Sequence, residues 1–136
     1  MQSQPSEEDI QAFIIAIKSG SYEHMKETLD IYTNAISNKL ESQLRQPPLY
    51  FAAINPDEEV SLEMVKALIK AGANPNFKDA NEQTILFYVC RDGKAKVAEY
   101  LLTQGCKLDD EDLYGQTPIF YVASEDQLHM LYLFTT

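Results

Sequence analysis

An internal repeat with a period of 33 residues constrains this chain more than any other feature. Residues 84–90 (TILFYVC) return 33 positions later as residues 117–123 (TPIFYVA). Residues 72–76 (GANPN) return at the same offset of 33 as residues 105–109 (GCKLD). Two separate blocks that share one offset predict tandem structural units built from the same supersecondary elements.

An earlier copy of the first block extends the repeat toward the N-terminus. Residues 47–53 (PPLYFAA) match residues 84–90 in pattern, but the offset is 37 rather than 33. The difference predicts an insertion of four residues between these copies, which we place within residues 55–61 (NPDEEVS).

Each unit carries the signals of two short helices followed by an extended segment. Thr84 and Thr117 stand where a helix N-cap accepts a backbone N–H, and Pro118 suits the first helical position, which needs no donor. Gly72 and Gly105 stand where the second helix must end in a left-handed conformation, which glycine adopts without strain. Apolar residues recur at helical spacing in the second helices: Leu62, Val65, Leu68 and Ile69, then Val97, Tyr100 and Leu101.

These features together resemble the ankyrin repeat family over residues 42–136. Residues 112–118 (DLYGQTP) follow the family's opening pattern without a gap. Glu82 departs from the pattern, because the family has glycine at that position of the finger. Aromatic residues replace the family histidine in three copies: Tyr50, Phe87 and Phe120. The resemblance implies an all-α fold, an ankyrin-repeat solenoid of stacked helix-turn-helix units joined by extended fingers.

The chain divides by sequence into four predicted segments. They are residues 1–41, an atypical N-terminal capping repeat; 42–78, an ankyrin repeat with a short insertion; 79–111, an ankyrin repeat; and 112–136, a truncated C-terminal repeat. Ser6 and Asp9 predict a capping box at the start of the first helix. For residues 32–46 an extended helix and an irregular loop remain alternatives. Stacking should bury a layer at two equivalent repeat positions: Leu49, Leu86 and Ile119, and Ala52, Val89 and Val122.

The resemblance also implies that the chain binds a protein partner through its fingers and the ends of its first helices. Carried over position by position, the predicted contact residues are Leu44, Gln46, Ile54, Asn55, Lys78, Asn81, Gln83, Arg91, Asp92, Glu111, Leu113, Tyr114, Gln116 and Glu125. Arg91 and Tyr114 are the strongest candidates, because Arg and aromatic side chains dominate interface hot spots. The alternative for Leu113 and Tyr114 is that they pack against an adjacent finger.

The charge balance narrows the class of partner. The chain has 11 basic and 21 acidic residues, a net charge of −10, which argues against nucleic acid and against anionic membranes. Four consecutive carboxylates, residues 109–112 (DDED), lie on one finger and favour a partner with a basic segment. A solvated finger tip is the plainer interpretation of the same run. No apolar stretch is long enough for membrane insertion.

The sequence contains no recognisable catalytic or metal-binding constellation. The phosphate-loop, nucleophile-elbow and zinc-protease motifs are absent, so we predict neither enzymatic activity nor a cofactor nor a metal site. Cys90 and Cys106 are expected to be buried, unreactive thiols in a reducing compartment. His24 and His129 are interpreted as structural. We predict a cytoplasmic protein, with the nucleus as the alternative.

Two further interpretations concern the C-terminal residues. The last predicted helix is apolar where the outer face of a repeat array should be polar: Leu128, Met130, Leu131, Leu133 and Phe134. This favours an N-terminal regulatory or substrate-targeting ankyrin segment of a larger signalling or modifying enzyme. A symmetric dimer through the same residues is a rival to the predicted monomer. A rigid spacer without a binding role is the remaining alternative.

Overall fold

The computed structural model describes residues 5–32, 46–124 and 129–130. Seven helices lie within them: α1 (Glu7–Lys18), α2 (Tyr22–Tyr32), α3 (Pro48–Ala53), α4 (Glu58–Lys70), α5 (Ile85–Asp92), α6 (Ala95–Thr103) and α7 (Pro118–Ser124). The two residues 129 and 130 are also helical. These described ranges contain no strand, so the predicted all-α class is confirmed. Most of the segment 32–46, for which two conformations were predicted, lies outside the described residues.

The chain divides into two compact units, Met1–Asn74 and Pro75–Thr136. In the first unit, α1 packs against α2 and α3, while α4 packs against α2 and α3. In the second unit, α5 packs against both α6 and α7. Each unit therefore stacks helices of consecutive repeats.

Apolar residues at the repeat-equivalent positions form the core of each unit. Five of the six residues predicted for the stacking layer are at most 1% exposed: Leu49, Ala52, Leu86, Val89 and Val122. Full burial of a leucine or valine side chain stabilises the fold by roughly 1.5–3 kcal/mol. The sixth prediction is wrong, because Ile119 on α7 is 38% exposed.

Hydrogen bonds at both ends of the first repeat close its helical hairpin. Ser6 Oγ accepts the Asp9 N–H at 3.1 Å, and Asp9 Oδ2 accepts the Ser6 N–H at 3.1 Å, which confirms the capping box. The Tyr32 hydroxyl donates to Asp9 Oδ2 at 2.7 Å and so ties the end of α2 to the start of α1. The hydrogen bonds from Tyr32 and then Ser6 hold the pKa of Asp9 below its ordinary value.

The extra residues of the second repeat lengthen its second helix. Helix α4 has 13 residues and α6 has nine. Both end just before a glycine in the left-handed region, Gly72 with φ 107° and Gly105 with φ 90°, as predicted. The additional turn therefore lies at the N-terminus of α4. There Asp57 Oδ1 accepts the N–H groups of Glu59 and Val60 at 3.0 and 3.2 Å.

The starts of the first helices follow the prediction only in part. Pro118 is the first residue of α7, as expected. Thr84 is the N-cap residue of α5, but its side chain makes no capping hydrogen bond, so that prediction is wrong. The Thr84 side chain is buried, and the helix start is closed instead by its carbonyl, which accepts the Phe87 N–H at 3.1 Å.

Candidate functional site

Two extended segments of the second unit share one turn geometry at the 33-residue offset. We call residues 79–84 (DANEQT) the first finger and residues 112–117 (DLYGQT) the second finger. In each, the N–H of the leading aspartate donates to the carbonyl four residues later, at 3.1 Å in the first finger and 2.8 Å in the second. The N–H three residues after the aspartate donates back to the aspartate carbonyl, at 2.9 and 3.0 Å respectively.

The carboxylate of the leading aspartate, Asp79 or Asp112, organises each turn. Its Oδ1 accepts the N–H groups two and four residues later, at 2.9 and 3.0 Å in both fingers. Its Oδ2 accepts a tyrosine hydroxyl from the following helix, Tyr88 in the first finger and Tyr121, at 2.6 Å, in the second. Asp79 and Asp112 are 5% and 4% exposed, so the buried donors depend on these two carboxylates.

Direct hydrogen bonds join the two fingers. The Leu113 N–H donates to the Asn81 carbonyl at 2.9 Å. The Gln83 side chain donates through Nε2 to Asp112 Oδ2 at 2.9 Å and to the Tyr121 hydroxyl at 3.1 Å. The second finger is therefore held by its own aspartate and by a side chain of the first finger.

Arg91, near the end of α5, lies over the rings of the two tyrosines that the aspartates hold. Its guanidinium carbon is 5.1 Å from the Tyr88 ring centroid and 4.9 Å from that of Tyr121. Its Nη2 also lies 3.5 Å from Gln83 Oε1. Contacts of an arginine with aromatic faces contribute about 0.5–2 kcal/mol each, depending on desolvation. Arg91 is half-buried, so it both supports the fingers and borders their surface.

The tip of the second finger presents two adjacent large side chains to solvent. Leu113 is 59% exposed and Tyr114 is 68% exposed. Their counterparts in the first finger are the smaller Ala80 and the polar Asn81. The fingers therefore have the same turn but different exposed chemistry.

The structure sorts the predicted contact residues by exposure. Six have exposed side chains: Ile54, Lys78, Asp92, Glu111, Leu113 and Tyr114. Three are half-buried: Asn81, Arg91 and Gln116. Leu44 and Glu125 lie outside the described residues.

Three predicted contact residues, Gln46, Asn55 and Gln83, are instead buried, with 8%, 8% and 4% exposure. Gln83 is buried because its amide bonds the second finger. Asn55 Oδ1 accepts the Asp57 N–H at 2.9 Å in the turn before α4. These three side chains are therefore buried in the structure, and not exposed as the prediction expected.

The acidic run of the second unit offers fewer free carboxylates than its sequence indicates. Burial alone would raise the pKa of Asp112. The hydrogen bonds from Tyr121, Gln116, Gln83 and Tyr114 outweigh that effect and hold this pKa below its ordinary value. Asp112 is ionised, but its carboxylate is nearly buried and accepts hydrogen bonds within the turn. The exposed or half-exposed carboxylates are those of residues 109, 110 and 111.

Sequence reasoning missed the residues that build the finger frame, namely Asp79, Tyr88 and Tyr121. A signal was present, since an aspartate and a tyrosine nine positions apart both recur at the 33-residue offset. That spacing joins an extended segment to a helix, so neither helical nor strand periodicity reveals the contact.

The candidate catalytic groups have structural surroundings. Burial raises the pKa of the Cys90 thiol to about 12, and burial with the nearby Asp110 charge raises that of Cys106 to about 12. Both are free, buried cysteines, as predicted, and neither is poised as a thiolate. His24 Nδ1 lies 2.6 Å from Ser21 Oγ at the start of α2, and His129 Nε2 lies 2.8 Å from the Gly93 carbonyl.

No metal-binding group of three or more His, Cys, Asp or Glu side chains occurs among the described residues. None of the helices in the described part of the chain is long and apolar enough to cross a membrane.

Comparison with known proteins identifies several relatives. NF-kappa-B inhibitor alpha of Gallus gallus is 31% identical over 87 residues, which cover 64% of this chain and 27% of that protein. Protein VAPYRIN-LIKE of Medicago truncatula is 34% identical over 84 residues, 62% of this chain and 17% of that protein. Serine/threonine-protein kinase 12 of Arabidopsis thaliana is 34% identical over 67 residues, 46% of this chain and 15% of that protein. The chain thus spans about a quarter or less of the length of these relatives.

The family model described as ankyrin repeats (3 copies) matches residues 49–135, well over half of the chain. Helices α4 to α7 and both fingers fall within that range. Ankyrin repeats are protein-protein interaction modules, and the match is to this repeat family rather than to a family of enzymes. The all-helical repeats of the structure agree with the match. The chain therefore belongs to the ankyrin repeat family.

Proposed function

We propose that this chain is a protein-binding module whose second finger makes the central partner contact. The exposure of Leu113 and Tyr114, 59% and 68%, on a turn held by hydrogen bonds carries the proposal. A fixed backbone lowers the entropy lost on binding, and tyrosine supplies a large contact area with few rotatable bonds. The exposed or half-buried residues Lys78, Asn81, Arg91, Asp92, Glu111 and Gln116 would extend this surface. Ile54, which is exposed in the first unit, remains a separate predicted contact.

The partner segment that fits this finger combines an apolar pocket with basic side chains. Asp109, Asp110 and Glu111 precede the apolar tip, and Asp109 and Glu111 are exposed. Carboxylates at the rim of an interface attract and orient a basic partner more than they strengthen the final complex. Binding should therefore weaken as salt rises from about 0.05 to about 0.5 M, where screening shortens the range of these charges.

The test is quantitative affinity capture from a lysate of the source cells, comparing wild type with the double variant Leu113→Ala/Tyr114→Asn. This variant copies the side chains of the first finger onto the second, so the turn should persist. We expect the recovery of specific partners to fall by about tenfold or more. The captured partner is then titrated against the purified chain at several salt concentrations.

Ile15→Ala is the matched control, because Ile15 is 62% exposed and lies on α1 in the first unit. It should retain every partner. Arg91→Glu is a poorer probe, because Arg91 supports both tyrosine rings and its loss would disturb the fingers. Equal recovery with wild type and the double variant would place the contact away from the second finger.

A second candidate function is that of a regulatory or targeting segment in a larger enzyme. The observation that favours it is the similarity to serine/threonine-protein kinase 12, of which the matched region is only 15%. Detection of the endogenous product by mass spectrometry tests it, since peptides from a catalytic domain on the same polypeptide would support it. We also propose a monomer in the cytoplasm or nucleus, which light scattering and fractionation would check; the free thiols of Cys90 and Cys106 are consistent with such a compartment.

A further inference from the structure

We propose that a groove between α2 and α4 of the first unit binds an acidic polypeptide segment. The groove has a volume of about 390 Å³. Six residues line it: Tyr22, Lys26, Glu63, Lys66, Ala67 and Lys70. This binding surface, which we call the lysine groove, is separate from the fingers and has the opposite charge.

The charge of the lysine groove reverses that of the chain. Three of its six lining residues are lysines and one is a glutamate, and the Asp30 carboxylate pairs with Lys26, which leaves a local excess of one positive charge. The whole chain has 11 basic and 21 acidic residues. A local excess of cations in a strongly acidic protein favours a ligand with the complementary charge.

Helical spacing brings these lysines to the groove from two sides. Tyr22 and Lys26 are four positions apart and share one face of α2. On α4, Lys66 and Lys70 are also four positions apart. Ala67 lies beside them, and its small side chain leaves room for a ligand. Lys66 and Lys70 are both exposed on α4.

One lysine of the groove is paired with a carboxylate of its own helix, and another lies at a helix C-terminus. Lys26 Nζ lies 2.5 Å from Asp30 Oδ1, one turn further along α2. This hydrogen bond raises the pKa of Lys26. Lys70 is the last residue of α4, where the helix dipole favours a positive charge.

The size and composition of the lysine groove favour a peptide over a single small anion. Its volume of about 390 Å³ falls in the range of ligand pockets, roughly 300–1,000 Å³. Lysines bind carboxylates as point charges, and the Tyr22 ring and Ala67 methyl provide apolar contact for an intervening side chain.

The net charge of −10 also selects against large polyanions. Nucleic acids and anionic membranes interact with the charge of the whole protein, which repels them. A short acidic segment senses mainly charges within the Debye length, about 8 Å at physiological ionic strength. The lysine groove therefore suits a short acidic stretch of another protein.

The experiment measures fluorescence anisotropy of a labelled octapeptide of six glutamates and two leucines, titrated with the full chain at low salt. The variant Lys66→Glu/Lys70→Glu should weaken binding by about tenfold or more, since attraction becomes repulsion at two sites. The control Lys78→Glu/Lys107→Glu changes the net charge equally but alters exposed lysines of the second unit. It should retain most of the affinity. Ala67→Leu fills the groove without changing charge and should also weaken binding.

Equal losses in the two charge-reversed variants would overturn the proposal, because net charge and not the lysine groove would then control binding. Undetectable binding of the octapeptide by wild type would also overturn it. So would preferential binding of phosphatidylserine vesicles or of a single-stranded oligonucleotide through the same lysines. The double variant Leu113→Ala/Tyr114→Asn should bind the octapeptide as wild type does, which separates this test from that of the finger surface.

Discussion

The first and second fingers have one backbone geometry and two different tips. In both, a nearly buried aspartate accepts two N–H groups at 2.9 and 3.0 Å and a tyrosine hydroxyl from the following helix. At the tips, Ala80, Asn81 and Glu82 of the first finger correspond to the Leu-Tyr-Gly of the second. The comparison separates residues that hold a finger from residues that a partner would meet.

The comparison shows that the exposed side chains of a finger can change while the hydrogen bonds that hold its turn stay the same. The tip residues contribute mainly backbone groups to the turn, so their side chains are free to change. The aspartate, the glutamine and the tyrosine contribute side-chain hydrogen bonds, and changing them alters the turn itself. Variants of the two classes should therefore have separate effects on stability and on binding.

The largest effect is expected from removal of the second finger's carboxylate. Asp112→Ala removes an acceptor shared by four donors, which belong to Tyr114, Gln116, Gln83 and Tyr121. We expect the free energy of unfolding to fall by about 3 kcal/mol, measured by urea denaturation followed by circular dichroism. Asp79→Ala tests the same role in the first finger. A loss below about 1 kcal/mol in both variants would show that the carboxylates do not organise the turns.

The link between the fingers should contribute less than either carboxylate. Gln83→Met keeps the volume of the side chain but removes its hydrogen bonds to Asp112 and Tyr121. We expect a loss of about 1.5 kcal/mol in the free energy of unfolding. The control Gln116→Met removes one hydrogen bond from Tyr121 and should cost less. Faster amide exchange at Leu113 in Gln83→Met would show that the link positions the second finger, and unchanged exchange would contradict it.

The two fingers also differ in backbone strain at equivalent positions. Glu82 has φ 57° and Gly115 has φ 74°, so both adopt the left-handed region. Gly115→Ala should destabilise by about 1 kcal/mol, through the backbone alone, because an added Cβ meets no atom within 4 Å. Glu82→Gly should stabilise by about 0.5 kcal/mol, since relief of strain exceeds the entropy of glycine in the unfolded chain. Thermal denaturation of both variants measures the two changes in stability. A destabilised Glu82→Gly variant would contradict this account.

The smallest effect on stability is expected from a change in pH. The folded pKa of Asp112 lies below its ordinary value of 3.8, so its stabilising contribution is present above that value. The contribution is lost as pH falls through the folded pKa. Between about pH 6 and about pH 3, wild type should therefore lose more stability than Asp112→Asn, whose side chain does not titrate. The Asp9 pKa is also lowered, but that group is present in both proteins. If the stabilities of wild type and Asp112→Asn changed in parallel with pH, the lowered pKa of Asp112 would be contradicted.

Much of the local structure follows from the sequence because its causes are local. Gly72 and Gly105 mark helix ends, and Ser6 with Asp9 marks a helix start, through contacts within a few residues. Glu82, which stands where the family has glycine, is the one non-glycine residue with positive φ among the described residues. The repeat offset located the insertion that lengthens α4.

The side-chain partners depended on tertiary structure. Gln83 was predicted at the surface, yet it bonds Asp112, 29 positions away, and such pairing leaves no periodic signal in the sequence. The lysine groove likewise combines Lys26 of α2 with Lys66 of α4, and it forms only when these helices pack.

The amino-acid sequence by itself thus determined the repeat, the helices and the left-handed turns, because backbone preference and apolar spacing act over a few residues. Tertiary structure decided which polar side chains are buried and which remain on the surface. Burial and pairing depend on contacts between segments that are distant in sequence. Whether a glutamine is exposed or buried depends on the donor or acceptor that folding places beside it.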